Sequence, residues 1–241
     1  LVRTRTGADR VVLIGHSLGG LLAELYAGTR PGEVAGICAL SAPSRRLGSS
    51  RLFRSPVLRG FTALGLAIRD RGLSEVALRA LPFFPLDRIG LISFAAEAHL
   101  WDRLPAGLRE GRRNPLMPVR PWRKGSFEPA MERDRFRKGF DRTGIRVVLD
   151  LLEWGARGRI PGAPGEADLI DRLAGVTCPA LLISSPDDET IRARFTTRPG
   201  DLPGASVTAR ELPGFGHCDL ILGTDAPAGV WPHIDRWLAT I

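Results

Sequence analysis

The segment at residues 10–31, RVVLIGHSLGGLLAELYAGTRP, places a glycine-flanked serine between two different patterns of apolar residues. Residues 11–14 form a continuous aliphatic run, which is typical of a strand that is buried on both faces. From Leu18 onward the apolar residues follow a helical spacing, which closes before Pro31. Ser17 is therefore predicted to lie where a strand passes into a helix with no intervening loop.

A direct passage from strand to helix requires a sharp turn, in which we expect Gly15 and Gly19 to replace side chains that would collide. Such a turn exposes the Ser17 hydroxyl and directs the first N–H groups of the helix, notably that of Leu18, at whatever the serine binds. The alternative is a glycine-rich turn that merely holds a serine, because Gly-x-Ser-x-Gly also occurs by chance in a glycine-rich chain. The strand-turn-helix setting favours a nucleophile.

Both ends of the chain alternate between strand and helix, which predicts an α/β protein with a parallel sheet. The closing helix would carry Trp231, Ile234, Trp237 and Leu238 on one face. The predicted elements are strands at 11–15, 34–40, 179–184 and 207–212, the last at the sheet edge, and helices at 18–28 and 230–238.

Residues 45–174 differ in character, because they contain many prolines and glycines and no convincing buried strand. We interpret them as a mostly helical insertion over the carboxyl edge of the sheet, between core segments 1–44 and 175–241. Helices are predicted at 61–68, 76–81, 89–100 and 145–154, and an irregular loop at 105–129, where prolines at 115, 118 and 121 interrupt any helix.

An activated serine needs a base that accepts its proton, and the chain has four histidines. His16 lies inside the turn and is expected to point away from a pocket into which Ser17 points. His99 and His233 fall on predicted helices. His217 follows a predicted strand and stands among glycines at the carboxyl edge of the sheet, where catalytic groups of α/β folds gather.

The carboxylate that orients the base should follow the other late strand, and Asp187, Asp188 and Glu189 all stand there. At least two of these three acids must have only a turn or helix-capping role. The chain order is then serine, acid, histidine, which is the order of the catalytic triad in α/β-hydrolases.

The sequence resembles the α/β-hydrolase superfamily beyond this order. GHSLGG at 15–20 is similar to its nucleophile elbow, and CPALLISSPDDETI at 178–191 is similar to its strand-plus-acid segment. LPGFGHCDLILG at 212–223 resembles the histidine loop of lipase-like members. The resemblance covers about 10–43 and 173–241, somewhat under half of the chain.

This resemblance implies an α/β-hydrolase-type, mostly parallel sheet with a helical lid insertion at 45–174. It implies Ser17 as nucleophile, His217 as base and the Leu18 N–H as one oxyanion-hole donor. The family pattern Gly-x-x-Asp selects Asp188 over Asp187 as the acid.

Two further expectations follow from the resemblance. Asp219, two residues after the histidine, recurs in lipase-like members and is interpreted as loop architecture. The superfamily has several strands before the elbow strand, and a loop among them supplies the second oxyanion-hole N–H. Only residues 1–9 precede the elbow strand here, so we expect the sequence to be an N-terminally truncated fragment.

The net charge of +8 is concentrated between Arg103 and Arg146, where 13 basic residues face 5 acidic ones. This segment lacks the interleaved aromatics of a single-strand binding platform and any DNA-reading motif, so nucleic acid is not a predicted partner. Two interpretations of this segment stay open, a solvated arginine-rich surface and a surface that contacts anionic lipid. The three cysteines have no metal-ligand spacing and are predicted to be free thiols.

The predicted function is hydrolysis of a carboxylic ester with a fairly apolar acyl or alcohol part, through Ser17, Asp188 and His217 and without a cofactor or metal. Acyl transfer to an alcohol would use the same triad. The alternative function is a non-catalytic or weakly active fragment, or an accessory domain of a larger hydrolase, that lacks a complete oxyanion hole.

Overall fold

The computed structural model describes residues 1–44, 103–109, 120–128 and 168–241, together with single residues and pairs between these ranges. None of the helices in the described ranges is long and apolar enough to span a membrane. The strands are β1 (Val11–His16), β2 (Val34–Leu40), β3 (Phe83–Phe84), β4 (Thr143–Gly144), β5 (Ala180–Ser184) and β6 (Val207–Glu211). The α-helices are α1 (Val2–Thr6), α2 (Leu18–Thr29), α3 (Ala106–Arg109), α4 (Asp219–Leu222), α5 (Ala226–Gly229) and α6 (Trp231–Leu238). Short 3₁₀ segments cover Pro31–Glu33, Leu169–Gly175, Ala193–Phe195 and Pro199–Asp201.

Four of the strands form one parallel sheet in the order β1-β2-β5-β6. Its register places Ile14 beside Cys38, Cys38 beside Leu181, and Leu181 beside Thr208. Because every strand runs the same way, all four carboxyl ends meet at one edge of the sheet. The predicted α/β fold and the position of β6 at the sheet edge are confirmed.

The two faces of the sheet are covered by different helices. On one face, Leu21 and Leu25 of α2 pack with Ile37 of β2 in a buried apolar cluster. On the other face, Trp237 of α6 packs with Leu40 and with side chains of β5. Burial of such side chains is the main favourable term in folding, so the sheet is held between α2 and α6.

β1 departs from the prediction that it is buried on both faces. The side chain of Leu13 packs against the α2 cluster, but Val12 is 36% exposed and Ile14 is 53% exposed. Their face of the sheet is the one that α6 covers over β2 and β5, and no described element extends that cover to β1. An aliphatic run alone does not show whether a second layer covers it.

The predicted insertion at 45–174 is described only in part. The predicted helices at 61–68, 76–81 and 89–100 lie almost wholly outside the described residues, whereas the described positions 147, 150, 151, 153 and 154 are helical as predicted. The domain boundaries stay a prediction.

β3 pairs with β4 in a two-residue antiparallel ladder, which is compatible with a region predicted to be mostly helical. One feature of the region differs from the prediction. The helical turn α3 lies within the predicted loop 105–129. Pro105 does not prevent it, because a proline just before the first helical turn removes no intrahelical hydrogen bond.

All three cysteines are buried free thiols, as predicted. Burial raises the pKa of the Cys38 thiol to about 12, because the thiolate would lose its hydration. Cys38 is therefore a core residue of β2 and not a nucleophile.

Candidate active site

Ser17 occupies a strained turn between β1 and α2. Its backbone angles, φ 55° and ψ −127°, lie outside the regions that non-glycine residues normally adopt. Its N–H donates to the carbonyl oxygen of Leu40 at the end of β2, at 2.8 Å. Leu18 is the first residue of α2, where a backbone N–H has no intrahelical partner. The strand-turn-helix prediction is confirmed.

The two glycines of the turn have different roles. A Cβ on Gly15 would stand 2.3 Å from the carbonyl oxygen of Gly19, so the turn closes only with glycine at position 15. A Cβ on Gly19 would meet nothing within 4 Å. The expectation of a collision is therefore correct for Gly15 and wrong for Gly19, whose α-carbon faces open space.

Asp188 and His217 form a buried pair at the carboxyl edge of the sheet. Asp188 Oδ2 lies 2.7 Å from His217 Nδ1, and the two side chains are 0% and 7% exposed. Asp188 Oδ1 accepts hydrogen bonds from the N–H groups of Thr190 and Ile191, both at 2.8 Å. Since the carboxylate acts as an acceptor, Nδ1 carries the imidazole proton and Nε2 is left to act as a base.

Asp187 has different partners from its neighbour. Its Oδ2 accepts a hydrogen bond from the N–H of Gly214 at 2.6 Å, on the exposed side of the loop. This bond ties the loop after β5 to the loop after β6. Asp188 is therefore the buried partner of the histidine, whereas Asp187 is exposed and joins two loops.

The third predicted residue, Ser17, stands at the same edge of the sheet but is not joined to this pair. Within the described part of the chain, Ser17 Oγ makes no hydrogen bond to His217. The residue before it does contact the histidine, because His16 Nε2 lies 2.8 Å from the carbonyl oxygen of His217 and the two ring centroids are 4.4 Å apart.

The expectation that His16 points away from the site is therefore not met. β1 continues through His16, and its ring lies against the loop that follows β6. No local pattern predicts the contact between the two rings.

Ser41 is a second strained residue that sequence reasoning missed. It follows β2 with φ 45°, and its N–H donates to the carbonyl oxygen of Ile183 at 2.7 Å. Its side chain is fully buried, and Oγ has no hydrogen-bond partner among the residues that the structure describes. Strained residues at the ends of adjacent strands are typical of functional sites.

Asp219 has the structural role in the histidine loop that the resemblance implied. Its Oδ2 accepts from the N–H groups of Gly216 and Arg123, at 2.7 and 3.0 Å, and its Oδ1 accepts from the Ser126 hydroxyl at 2.7 Å. The Cys218 N–H also donates to the carbonyl oxygen of Pro121. Asp219 thus fixes residues 121–128 against the histidine loop.

In the described ranges, no cluster of three or more His, Cys, Asp or Glu side chains is placed to hold a metal ion. The chemistry that the arrangement can perform rests on a strained serine, a buried acid-histidine pair and the N-terminus of α2.

Comparison with known proteins places the chain in a family. Residues 1–224 match the family model for the alpha/beta hydrolase fold. A search of curated protein sequences finds no match.

Among solved structures, the chain is similar to one from a study of carboxylesterases of the thaumarchaeon Nitrososphaera gargenis, with 16% identity over 99% of this chain and 68% of that one, and a TM-score of 0.48. It is similar to a thermophilic esterase from Thermogutta terrifontis, with 16% identity, coverage of 99% and 68%, and a TM-score of 0.46. For the monoacylglycerol lipase of Paleococcus ferrophilus the identity is 14%, the coverage 100% and 72%, and the TM-score 0.49. The family model matches nearly the whole chain, and the parallel sheet and serine elbow agree with it. The chain therefore belongs to the alpha/beta hydrolase fold family.

Proposed function

We propose that the protein is a serine hydrolase that cleaves carboxylic esters. The observation that carries the proposal is the buried hydrogen bond between Asp188 and His217, at 2.7 Å, at the edge of the sheet where the strained Ser17 also stands. A buried carboxylate that holds a histidine by Nδ1 leaves Nε2 free for proton transfer, which is the arrangement that activates a serine.

In the proposed reaction, Ser17 Oγ attacks the ester carbonyl carbon and His217 Nε2 takes the hydroxyl proton. The tetrahedral intermediate carries its negative charge on the former carbonyl oxygen, and the Leu18 N–H at the start of α2 donates to that oxygen. His217 then returns the proton to the leaving alcohol, and a water molecule repeats the sequence to release the acid. Asp188 keeps the histidine in the required tautomer and stabilises its protonated form.

The proposed proton transfer requires a rearrangement of the histidine loop or of the Ser17 rotamer, because the two side chains share no hydrogen bond in the described part of the chain. Catalytic hydrogen bonds of this kind are often long before substrate binds. His16 limits the movement on one side, since its ring packs against His217 and its Nε2 contacts the backbone carbonyl of that residue. We assign His16 as a positioning residue for the base.

The proposed substrate has an apolar acyl or alcohol part. The basic residues beside the histidine loop support a contact with anionic lipid surfaces. Arg120, Arg123 and Lys124 line a cavity of about 400 Å³ with Gly216 of the histidine loop, so that three basic residues stand there against two acidic ones, Asp187 and Glu189. An ester presented at such a surface would reach the site from the side of these basic residues.

The test combines a fluorophosphonate probe with hydrolysis of short-chain nitrophenyl esters. The unsubstituted protein should be labelled at Ser17, and Ser17→Ala should abolish both labelling and turnover. Asp188→Asn should lower turnover roughly ten-thousandfold, which is the effect of this substitution in a serine protease. Asp187→Asn is the matched control, because it removes an adjacent acid of the same charge, and it should change turnover little.

Three results would contradict the proposal. Labelling that survives Ser17→Ala would place the nucleophile elsewhere. Equal losses in the two aspartate variants would mean that the acid acts through loop structure. A folded protein with no labelling and no turnover would favour a non-catalytic domain.

A further inference from the structure

A small cavity lies between β6 and α6, on the face of the sheet that α6 covers. It has a volume of about 250 Å³, and neither the Asp188–His217 pair nor Ser17 lines it. This volume is below the usual range of sites for drug-sized molecules, so the cavity suits a single chemical group of a ligand.

The fold brings two arginines and a histidine to this cavity from two elements. Alternate residues of a strand share one face, so Thr208 and Arg210 of β6 point the same way. Residues three apart on a helix share one side, and on α6 these are His233 and Arg236. All four line the cavity. Trp237, beside Arg236, is buried in the apolar cluster that fixes α6 to the sheet.

Most N–H donors of the two arginines are not used by the protein. Arg210 Nη1 donates to the carbonyl oxygen of Ala209 at 3.0 Å, and Arg236 Nη2 donates to His233 Nδ1 at 3.2 Å. In the described ranges these are their only side-chain hydrogen bonds, and neither arginine forms an ion pair. A guanidinium carries several N–H donors in a fixed plane, so both groups keep donors for a ligand.

The hydrogen bond from Arg236 also fixes the tautomer of His233. A guanidinium can only donate, so Nδ1 of the ring is the acceptor and the ring proton is on Nε2. This Nε2–H has no acceptor in the part of the chain that the structure describes. Partial burial lowers the pKa of His233, and the charges of Arg236 and Arg210 lower it further. A neutral imidazole thus adds one N–H donor to the half-buried lining.

The positive charge at the cavity is not balanced by the protein. Among the described residues, no carboxylate lines the cavity. The nearest acids in sequence, Glu211 and Asp235, are exposed, and Glu211 follows Arg210 on the strand, so its side chain points to the other face. Two guanidinium charges therefore act on the same small space, where an anion is attracted by both.

We propose that this cavity binds a phosphate group, with Arg210 and Arg236 on its oxygens and the His233 Nε2–H as a further donor. A phosphate monoester has three acceptor oxygens and a charge of about −1.5 to −2 at pH 7, which suits donors that approach from two elements. A carboxylate has two oxygens and a single charge, and therefore uses fewer of these donors. The site is separate from the proposed ester cleavage and does not depend on it.

The imidazole NMR signals of His233 test the proposal in solution, at constant pH and ionic strength. They are assigned by their loss in His233→Gln, and the signals of His217 serve as an internal reference. Inorganic phosphate and glycerol 3-phosphate should each shift the His233 signals saturably and leave those of His217 unchanged. Acetate should bind at least about tenfold more weakly, because it accepts fewer charge-assisted hydrogen bonds.

Variants that remove one charge at a time test the contacts. Arg210→Gln and Arg236→Gln should each weaken the binding of phosphate by about tenfold or more. Both side chains are exposed, so the fold should tolerate the changes. Arg5→Gln is the matched control, because Arg5 is an exposed arginine of α1 that lies outside the cavity, and it should leave the affinity unchanged.

The phosphate group could be carried by a soluble molecule or by a lipid, and vesicles distinguish these sources. Phosphatidylcholine vesicles are compared with and without phosphatidic acid. Co-sedimentation that requires phosphatidic acid and is weaker in Arg210→Gln than in Arg5→Gln would assign a lipid headgroup. Equal co-sedimentation of these two variants, together with saturable binding of glycerol 3-phosphate, would assign a soluble phosphate.

Three results would overturn the proposal. The first is the absence of a saturable shift of the His233 signals with either soluble phosphate and of any Arg210-dependent binding to vesicles. The second is an affinity for acetate equal to that for phosphate, which would indicate nonspecific attraction of anions. The third is a loss of affinity in Arg5→Gln as large as that in Arg210→Gln, which would indicate an effect of net charge alone.

Discussion

Ser17 adopts a backbone conformation that glycine would adopt without strain. Its φ of 55° and ψ of −127° put the side chain at the tip of the turn, and residues held in such regions cost about 1–3 kcal/mol each. The surrounding contacts, above all the bond from the Ser17 N–H to Leu40, maintain the conformation. The proposed nucleophile therefore lowers the stability of the fold that presents it.

Replacing Ser17 with glycine should stabilise the protein relative to Ser17→Ala. Alanine keeps the Cβ and hence the strain, whereas glycine removes both. Glycine also adds conformational entropy to the unfolded chain, but this costs less free energy than the strain that is relieved. We expect Ser17→Gly to exceed Ser17→Ala by about 1 kcal/mol in the free energy of unfolding, measured by chemical denaturation. Equal stabilities of the two variants would show that the turn is not strained.

Glu24 should make the stability depend on pH. Its pKa is raised from 4.5 to about 8 in the folded protein, chiefly by burial. Between these values the folded state holds a proton that the unfolded state has released, so stability falls as pH rises from about 4.5 to 8 and levels off above. Glu24→Gln removes this term.

Across that window the free energy of unfolding of the unsubstituted protein should fall relative to that of Glu24→Gln. The relative fall should be on the order of 4 kcal/mol at the upper end of the window. Denaturation at several pH values measures it. Glu33→Gln is the control: Glu33 is half-buried, and its pKa is lowered chiefly by the hydrogen bond from Tyr26, so this variant should not reproduce the trend. A difference that does not change with pH would mean that Glu24 ionises normally in the fold.

At the scale of elements, the buried side chain of Asp219 joins residues 121–128 to the histidine loop, alongside backbone bonds such as the one from the Cys218 N–H to Pro121. Asp219 accepts from two backbone N–H groups and from the Ser126 hydroxyl, and Trp122 and Phe127 are buried beside it. The aspartate thus connects a segment of the predicted insertion to the loop that carries His217.

Asp219→Ala should loosen this segment, because the N–H groups of Arg123 and Gly216 lose their acceptor. Each unsatisfied buried group costs about 1–3 kcal/mol. Amide hydrogen exchange at these two residues should accelerate by an order of magnitude or more. In Asp219→Asn the amide oxygen still accepts from both N–H groups and the Ser126 hydroxyl can reverse, so exchange should stay close to that of the unsubstituted protein. Similar acceleration in both variants would indicate that charge matters more than the acceptor.

Elements with a strong local pattern could be predicted from the sequence. β2 begins at Val34 and ends at Leu40, as its apolar run indicates, and the turn at Ser17 was recognisable from glycines between a strand and a helix pattern. Trp231 shows the limit of the same method, because it was placed on the apolar face of α6 and is 46% exposed.

Residue types and chain order predicted the site only in part. They singled out His217 but left Asp187, Asp188 and Glu189 open, and the resemblance to the family pattern selected Asp188, which the fold brings into contact with His217. The His16 ring contact, the Ser41 conformation and the attachment of 121–128 were not predictable, because each depends on residues far apart in the chain that share no periodic pattern. The burial of Glu24 was missed for the same reason, since a single glutamate in a helix gives no sign of burial.

At the scale of the whole molecule, the four-stranded sheet is unevenly covered. The outer edge of β1 pairs with no strand among the described residues, and the side chains of Val12 and Ile14 extend the apolar surface beside it. An open, apolar strand edge is a template for association between chains.

Val12→Lys should therefore reduce self-association, because a charge on the exposed face of an edge strand opposes pairing. Sedimentation velocity over a range of protein concentrations measures the effect. Leu104→Lys is the matched control, since Leu104 is 39% exposed, close to the 36% of Val12, but lies outside the sheet. A monodisperse monomer before substitution, or an equal change in both variants, would contradict the prediction.

The order of the strands along the chain also determines when each part of the site is synthesised. β2 pairs with β5, although about 140 residues separate Leu40 from Ala180. At a translation rate of about 5–20 residues per second, roughly 7 to 28 seconds pass between the synthesis of Leu40 and that of Ala180. The serine elbow is thus made first and Asp188 and His217 last, so a chain still on the ribosome carries its proposed nucleophile without the base that would activate it.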